Sequence, residues 1–326
     1  MRLLKLSAVT VLAASLAAPA LAQTELKFGH VGAPGSLFDK SANRFAEVAN
    51  EKLGGKATVV VFGSSQLGKD RELLQKLKLG TVDFALPSSV MSSVAPEFGL
   101  FEMPYLVKDR EHMKRIGSEI FWPKIAPAAE AQGYKILALW ENGFRNITNN
   151  VRPINVPNDL DGIKLRTPKG EWRVRMFKAY GANPTPMAFS EVFVALQTGV
   201  IDGQENPLAQ IASAKFQEVQ KYLSRTGHVY TPAYITVGLD RWNKLDPEVQ
   251  TALEEAAKET RDYVYATAAE LDVELLKLLK VAGMEVNEPD KAAFIDASGP
   301  IYEEFALEVK EGKDMVAQAL ALADGS

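Results

Sequence analysis

The apolar and polar positions along the chain predict two similar halves in which strands and helices alternate. In the first half, strand, helix, strand, helix and strand are predicted at residues 25–31, 41–53, 58–62, 71–79 and 82–86. The second half repeats this order with a strand at 162–166, a helix at 172–180, an extended piece through Met187, a helix capped by Ser190 and a strand after Gly199. Each half is therefore predicted to be a βαβαβ unit with parallel strands, because a crossover helix returns the chain to the same end of the sheet.

The same short motif closes both halves. Its copies are Leu77-Lys-Leu-Gly80-Thr-Val-Asp83 and Leu196-Gln-Thr-Gly199-Val-Ile-Asp202, each with a glycine where a helix stops. Two similar halves predict two lobes with a cleft between them. Ligands of such sheets bind outside the carboxyl ends of the strands, so the residues that follow the strands are the first candidates for a site. They are His30, Val31, 87–91, 166–172 and 204–207.

Length and periodicity also favour two lobes. A chain of 326 residues exceeds the size at which one hydrophobic core usually stops growing. Apolar residues recur along one side of a helix from 247 to 280, and a helix of this length is predicted to brace both lobes. We expect lobe I to comprise residues 23–145 plus 232–271 and lobe II residues 146–231 plus 272–326, with the ligand cleft between them.

The first 22 residues have the features of a secretory signal peptide. A basic start, Met1-Arg-Leu-Leu-Lys5, precedes a mostly apolar run at 7–18 and a small-residue cleavage site, Ala20-Leu-Ala22. Cleavage after Ala22 is expected to release an exported, periplasmic protein.

The cleaved segment contains Arg2 and Lys5, so the basic count falls from 37 to 35 against 41 acidic residues, a formal charge of −6. This balance gives no support for nucleic-acid binding, and a chain with no cysteine forms no disulfide.

Two polar residues stand where the second half should bind a ligand. Arg166 ends the first strand of that half, and its guanidinium could grip a carboxylate with two parallel hydrogen bonds. A surface arginine in a salt bridge is the alternative. Asn206 follows the third strand and could donate to the same carboxylate, although an Asn-Pro turn would also explain it.

The segment from Trp140 to Asn149 is unusually polar for its place directly after an apolar strand at 135–139. We predict a loop there. Polar loops that lie beside a core strand often form binding sites or cross between lobes. A solvated connection is the alternative.

The motifs of the common enzyme classes are absent from the sequence. It contains no G-x-S-x-G, no G-x-x-x-x-G-K-[ST] and no G-x-G-x-x-G after the first strand. The three histidines, His30, His112 and His228, lack metal-ligand spacing. We therefore expect neither catalysis nor a cofactor or metal. A secreted hydrolase that uses His30 or His228 with a carboxylate remains the alternative from another class.

Four segments resemble the extracytoplasmic solute-binding proteins of TRAP transporters. They are 184–207, which contains Ala-Phe-Ser-Glu-Val and Asp-Gly-Gln-Glu-Asn-Pro, Gly162-Ile-Lys-Leu-Arg-Thr-Pro168, Asn142-Gly-Phe-Arg145 with Thr148-Asn149, and Ser65-Gln-Leu-Gly68. The similarity extends over essentially the whole mature chain at matching spacings.

This resemblance implies a fold, a function and a set of site residues. It implies the α/β fold of two-lobed periplasmic binding proteins, in which the lobes close over a small organic acid. The closed form would deliver that acid to the membrane permease of a TRAP transporter, and the protein itself is expected to be a monomer. The arginine that matches Arg166 clamps the ligand carboxylate in that family, Asn206 supports it, Arg145 lies close by and Phe189 packs against the ligand.

Departures from the family narrow the expected solute. Members that bind sialic acid carry an acid and an arginine at Ser88 and Met91, and an asparagine near Val31, so sialic acid is disfavoured. Glu171 could accept hydrogen bonds from ligand hydroxyls, and the face of Trp172 could cover a sugar ring. These residues favour a hydroxylated monocarboxylate such as galacturonate, glucuronate or an aldonate.

Other interpretations of the pocket stay open. Glu171 and Trp172 could simply begin an exposed helix. A C4 dicarboxylate or an aromatic acid could bind instead, against an apolar wall of Met91, Trp172 and Tyr234. Further candidate contacts, which could equally be scaffold, are Ser88, His30, His228 and Tyr230.

Overall fold

The computed structural model describes residues 24–324, and the predicted signal peptide with its cleavage site lies outside them. The strands of this part are β1 (Thr24–Gly29), β2 (Ala57–Phe62), β3 (Phe84–Ala85), β4 (Tyr134–Asn149), β5 (Lys164–Thr167), β6 (Asn183–Pro186), β7 (Gly203–Pro207), β8 (Tyr222–Ser224), β9 (Tyr230–Gly238) and β10 (Glu285–Asn287). The α-helices are α1 (Leu37–Leu53), α2 (Asp70–Leu79), α3 (Arg110–Ile116), α4 (Ala126–Ala131), α5 (Glu171–Ala179), α6 (Val192–Gln197), α7 (Leu208–Ser213), α8 (Leu239–Trp242), α9 (Pro247–Val281), α10 (Lys291–Asp296), α11 (Gly299–Glu308) and α12 (Gly312–Ala321).

The sheet order confirms the predicted mixed α/β architecture with two similar halves. The strands lie in the order β2-β1-β3-β9-β4-β7-β5-β6. The first half contributes β2-β1-β3 and the second half β7-β5-β6, and within each trio the strands are parallel. The antiparallel strands β9 and β4 join the trios. The carboxyl ends of β1, β3, β5 and β7 therefore face the region where the halves meet.

The predicted loop at 140–149 is wrong. These residues continue β4, which runs for 16 residues from the first half, where it pairs with β9, to the second half, where it pairs with β7 and β8. The strand carries polar side chains and is nevertheless buried, because several of them bond to other buried polar groups rather than to water. Alternation of apolar and polar residues cannot reveal such a strand.

The repeated motif fixes the two halves by the same hydrogen bonds. Asp83 accepts the backbone N–H of Lys27 on its carboxylate at 2.8 Å, and its own N–H donates to the Lys27 carbonyl at 3.0 Å. Asp202 makes the same pair of bonds with Lys164, both at 2.8 Å. The motif therefore ties the third strand of each half to the first. Gly80 and Gly199 precede it with φ of 68° and 71°, which a side chain would strain.

The start of the fourth predicted helix is corrected. Ser190 is not its cap, because it lies inside a 3-10 turn at Phe189–Glu191, and α6 begins only at Val192. The carboxylate of Glu191 accepts the N–H of Ala188 at 3.2 Å instead. This bond holds the turn that carries Phe189.

The long helix is confirmed as α9, which spans 35 residues. Its positions from Leu253 to Leu271 pack in the core of the first half with α1, whereas Leu279 packs in the core of the second half with α6. The helix therefore braces both halves, although the lobe boundaries stated above stay a prediction. Within residues 24–324, no helix is both long and apolar enough to cross a bilayer.

Candidate functional site

A cavity lies between the two halves, at the carboxyl ends of the parallel strands. Val31 and Ser88, which follow β1 and β3, line its first-half wall. Arg166 on β5 and Asn206 on β7 line the opposite wall. Arg145 reaches the cavity from β4, where that strand enters the second half. The topology thus brings together residues that are far apart in the sequence.

Arg166 presents its guanidinium to this cavity without a direct ion pair. Its Nε and Nη2 both donate to the carbonyl of Met187, at 3.0 and 2.7 Å. No carboxylate in the part of the chain that the structure describes forms an ion pair with it. Burial lowers the pKa of Arg166 to about 10, so the side chain stays charged at neutral pH. A buried cation that bonds only to a carbonyl is well suited to pair with an anionic ligand.

Behind Arg166 lies a buried network in which the charges are paired. Arg145 donates to both carboxylate oxygens of Glu205, at 2.5 and 2.9 Å. Arg173 bridges Glu205 at 2.7 Å and Glu102 at 2.8 Å. Burial alone would raise the pKa of Glu205, but Arg145 and Arg173 together outweigh it and hold this pKa below its usual value. The two glutamates form ion pairs with Arg145 and Arg173, whereas Arg166 forms none and interacts with the carboxylates of Glu205 and Asp70 only at longer range.

Amide side chains connect the two walls. Asn206 accepts from Nη2 of Arg145 at 3.1 Å and donates to Gln204 at 2.6 Å. Asn142 donates to Ser88 at 3.2 Å and accepts from Gln210 at 3.2 Å, while the Ser88 hydroxyl donates to the Pro232 carbonyl at 2.6 Å. These bonds orient the polar groups before any ligand arrives.

Three further polar residues line the cavity and could form hydrogen bonds with a ligand. The hydroxyl of Ser89 and the Oε1 of Gln210 are buried and have no hydrogen-bond partner within residues 24–324. Buried polar atoms of this kind are normally satisfied, so a ligand or water is expected to bond them. Asp70 also lines the cavity, and burial raises its pKa to about 6. Ser89 lies within the candidate range 87–91, whereas sequence reasoning missed Asp70 and Gln210.

Two contacts cross the mouth of the cavity. The ammonium of Lys69 lies 2.6 Å from the carboxylate of Glu191, and Arg71 donates to the carbonyl of Lys169 at 3.2 Å. Lys69 and Arg71 belong to the first half, and Glu191 and Lys169 to the second. The mouth is therefore bridged, as a closed binding protein requires.

Five of the ten predicted site residues line this cavity: Arg166, Asn206, Arg145, Phe189 and Ser88. Their roles in ligand binding stay predictions. Phe189 also packs its ring on Phe216, with centroids 5.9 Å apart.

Glu171 and Trp172 lie outside the lining of this cavity, so the ligand contacts expected of them gain no support from it. Glu171 is the first residue of α5 and pairs with Arg175 at 3.0 Å, one turn along the same helix. Trp172 is only 2% exposed and packs edge-on against Phe305 of α11, with centroids 5.3 Å apart. Neither residue lines the cavity.

His30, His228 and Tyr230 are buried outside the cavity lining. His228 bonds to Glu205 at 3.0 Å and to Thr226 at 2.8 Å, so it supports the charge network. His30 lies 3.9 Å from Asp39, and burial lowers its pKa to about 4. Tyr230 packs its ring on Phe144 at 5.0 Å. These three contribute scaffold rather than cavity surface.

The described residues contain no group of acidic or histidine side chains that could hold a metal ion. The fold and the charged cavity between two similar halves define a solute-binding protein rather than an enzyme. The sequence profile of the bacterial extracellular solute-binding proteins, family 7 (DctP), matches residues 28–308. The chain belongs to this family, whose members serve TRAP transporters.

Individual relatives agree with this assignment. The chain is 40% identical to a solute-binding protein of Roseobacter denitrificans over 291 residues, 89% of each chain. It is 34% identical to the 2,3-diketo-L-gulonate-binding periplasmic protein of Escherichia coli, over 93% of both chains. A crystal structure of a TRAP solute-binding protein from Sulfurospirillum deleyianum with bound succinate has a TM-score of 0.88 and 32% identity, and covers 93% of this chain and 100% of that one. The structure of the Roseobacter protein contains L-galactonate and has a TM-score of 0.86, covering 91% and 98%.

Proposed function

We propose that this protein captures a small hydroxylated monocarboxylate in the periplasm, a sugar acid or an aldonate, and delivers it to the permease of a TRAP transporter. One observation carries the proposal: Arg166 is the one buried arginine of the cavity network without an ion pair among the described residues, and unsatisfied polar groups line the same cavity. A single cationic charge matches a single ligand carboxylate.

The polar groups of the opposite wall support a hydroxylated ligand. Ser89 can donate or accept, and the Oε1 of Gln210 can accept a ligand hydroxyl. Asp70 can accept one as well, and when ionised it would repel a second ligand carboxylate. This is the role that the sequence suggested for Glu171. An aromatic acid would leave these groups unsatisfied, at a cost in affinity.

Two of the relatives' ligands are sugar acids, which supports a hydroxylated monocarboxylate, and a third is a dicarboxylate, which is the alternative. A diketogulonate and a galactonate are hydroxylated or oxidised sugar acids with one carboxylate, whereas succinate has two. The exposed ammonium of Lys169 lines the cavity mouth and could receive a second carboxylate. A C4 dicarboxylate is therefore the second candidate.

Thermal unfolding against a panel of acids tests the proposal. The panel contains L-galactonate, D-galacturonate, D-glucuronate, succinate, benzoate and the neutral galactitol. A ligand at 100 times its Kd stabilises the native state by about 2.7 kcal/mol, which is a shift of several degrees. We expect the largest shift with a sugar acid and none with galactitol. Arg44→Ala, which removes an exposed arginine outside the site, is expected to leave that shift unchanged.

Two results would contradict the proposal. A shift with succinate alone would move the assignment to a dicarboxylate. No shift with any acid, after unfolding and refolding to remove trapped ligand, would contradict solute binding by this cavity.

A further inference from the structure

One side of β4 has no strand partner where it borders a second cavity, which shares no lining residue with the first. On one side β4 pairs with β9 from Tyr134 to Phe144. On the other side it pairs with β7 only from Arg145 onward. Residues 134–144 therefore keep one side free of strand partners in the described chain. An unpaired edge presents N–H and C=O groups with which another chain can pair.

The hydrogen-bond pattern turns the backbone of Leu139 towards this free side. Leu139 lies opposite Tyr234 in the register of β4 and β9. Tyr234 donates its N–H to the carbonyl of Pro87 at 3.0 Å, on the far side of β9. Residues directly opposite each other in an antiparallel pair either exchange both bonds or both turn away. Leu139 therefore directs its N–H and C=O away from β9.

The cavity beside this edge is a groove with two helical walls, which we name the edge groove. Residues 135–139 of β4 form its floor. One wall is a single stripe of α9, from Glu254 through Lys258 and Arg261 to Tyr265, and the other is the helical segment from Lys114 to Trp122. Its volume is about 530 Å³. The stripe of α9 spans roughly 16 Å at 1.5 Å per residue, the length of about five residues of extended chain.

The charges of the edge groove favour an acidic occupant. Its cationic side chains are Lys114, Lys135, Lys258 and Arg261, and its one acidic side chain is Glu254. Lys135 pairs with Glu254 at 3.4 Å, Lys114 with Glu111 at 2.7 Å and Arg261 with Asp262 at 3.3 Å. Lys258 forms no ion pair with any residue in 24–324. Trp122, which is 42% exposed, adds an apolar contact at the rim. The groove therefore combines a free strand edge, an excess of positive charge and an exposed aromatic ring.

We propose that the edge groove binds an extended, acidic segment of the membrane permease, which pairs with β4 beside Leu139 as an added strand. This inference rests on the proposed delivery to a permease and adds a docking site to it. Main-chain hydrogen bonds give affinity in such an arrangement, and side-chain contacts give specificity. The same strand continues to Arg145 at the solute cavity, so the partner would contact an element that also lines the solute site.

A charge-reversal variant in the full mature protein tests the inference. Lys258→Glu combined with Arg261→Glu places two acids in the groove, and Lys277→Glu with Lys280→Glu makes the same change on the exposed surface of α9 outside it. Solute affinity is measured by calorimetry with the best acid of the panel, and uptake is measured in proteoliposomes that contain the permease. We expect the groove variant to keep the solute Kd within twofold and to lose at least tenfold in uptake, with the control variant unchanged. Trp122→Ala is expected to reduce uptake several-fold as well, because it removes the apolar contact at the rim without changing the charge of the groove.

Hydrogen exchange separates this inference from the proposed function. Permease in nanodiscs should slow exchange of the backbone amides at 135–141 in wild-type protein and not in the groove variant. This result would support the edge groove even if none of the acids were taken up. Unchanged uptake in both groove variants, or unchanged exchange at 135–141 on permease binding, would overturn it. A dimer that the charge reversal dissociates, with uptake unchanged, would instead assign the groove to a second copy of the chain.

Discussion

The two halves have the same arrangement of parallel strands but carry different residues at the carboxyl ends of those strands. In the first half Gly29 of β1 lies beside Ala85 of β3, and in the second half Arg166 of β5 lies beside Gln204 of β7 at the equivalent position. A side chain at Gly29 would begin 2.6 Å from Leu73, so the first half has no room for one there. The second half therefore supplies the buried Arg166 to the cavity, while the first half supplies hydroxyls and a carboxyl there through Ser88, Ser89 and Asp70.

This difference shows how two halves with the same strand arrangement can bind different groups of one ligand. The motif bonds of Asp83 and Asp202 hold both halves in the same register. The residues beyond the motif then differ without disturbing the strands. We expect the ligand carboxylate to bind the charged half and the hydroxyls to bind the other half as the mouth closes.

Glu205→Gln is expected to break the charged half. Three residues after its motif aspartate this half has Glu205, where the first half has the apolar Leu86. Loss of the carboxylate leaves Arg145 and Arg173 with Glu102 as their one buried acidic partner among the described residues, and removal of one buried partner typically costs about 3–5 kcal/mol. Urea unfolding measures the loss. Glu218→Gln, at an exposed pair with Lys215, should unfold like the wild type, and equal midpoints for both variants would contradict the account.

The pH dependence of stability contrasts a histidine from each half. Burial lowers the pKa of both His30 and His228 to about 4, below the 6.5 of the unfolded chain. As the pH falls from 6.5 towards 4, the unfolded state takes up protons that the folded state does not, so the free energy of unfolding falls. Each histidine contributes up to about 3 kcal/mol to this loss. Above pH 6.5 both histidines are neutral in the folded and the unfolded state, so the full free energy of unfolding is present with respect to these two groups.

Histidine variants separate the two contributions. His30→Gln and His228→Gln should each flatten the dependence of the unfolding free energy on pH between 7 and 5. At pH 7 His228→Gln should cost more, because only His228 has bonds to lose, to Glu205 and Thr226. An unchanged slope in both variants would contradict the burial of neutral histidine.

Ser89→Ala sharpens the role of the first half. Its hydroxyl has no partner among the described residues, so the variant should unfold like the wild type. Affinity for a sugar acid should fall by about 0.5–1.5 kcal/mol, roughly 2- to 12-fold, while affinity for succinate should not change. Ser93→Ala is the control, because Ser93 does not line the cavity and its hydroxyl donates to the Val90 carbonyl. Equal losses for both acids would show that Ser89 does not recognise a hydroxyl.

The smallest effect is expected at the mouth. The pair of Lys69 and Glu191 is partly exposed, so Lys69→Ala should raise the dissociation rate of the ligand by no more than a few-fold. High salt should produce the same rise in the wild type, because exposed pairs are screened. Lys56→Ala, at an exposed pair with Glu248 far from the cavity, should leave the rate unchanged. A rate that is insensitive to both Lys69→Ala and salt would remove this pair from closure.

Much of the frame could be predicted from the sequence because local patterns determine it. The glycine stops, the paired motif and the period of α9 all depend on neighbouring residues. Arg166 and Asn206 were placed at the cavity because parallel strands end at one edge of the sheet. The polar part of β4 escaped prediction because its partners, such as Glu205 and Gln220, come from distant strands and loops.

The positions of Glu171 and Trp172 outside the cavity lining have the same cause. Glu171 and Trp172 follow Arg166 closely in sequence, but the first turn of α5 directs them to Arg175 and to Phe305 of α11, a contact that no local pattern reveals. Gln210 belongs to α7, and Asp70 begins α2. Their positions in one cavity depend on the tertiary structure and not on any local sequence pattern.

Calorimetric titration of Arg166→Ala with the best acid of the panel measures how much the Arg166 guanidinium contributes to ligand affinity. The variant leaves the ligand carboxylate without its cationic partner, so the affinity should fall by about 2–5 kcal/mol, 30-fold or more. The control Arg44→Ala should bind as the wild type does. An Arg166→Ala protein that binds the acid within threefold of the wild type would contradict the account, because the unpaired charge of the second half would then not be what holds the ligand.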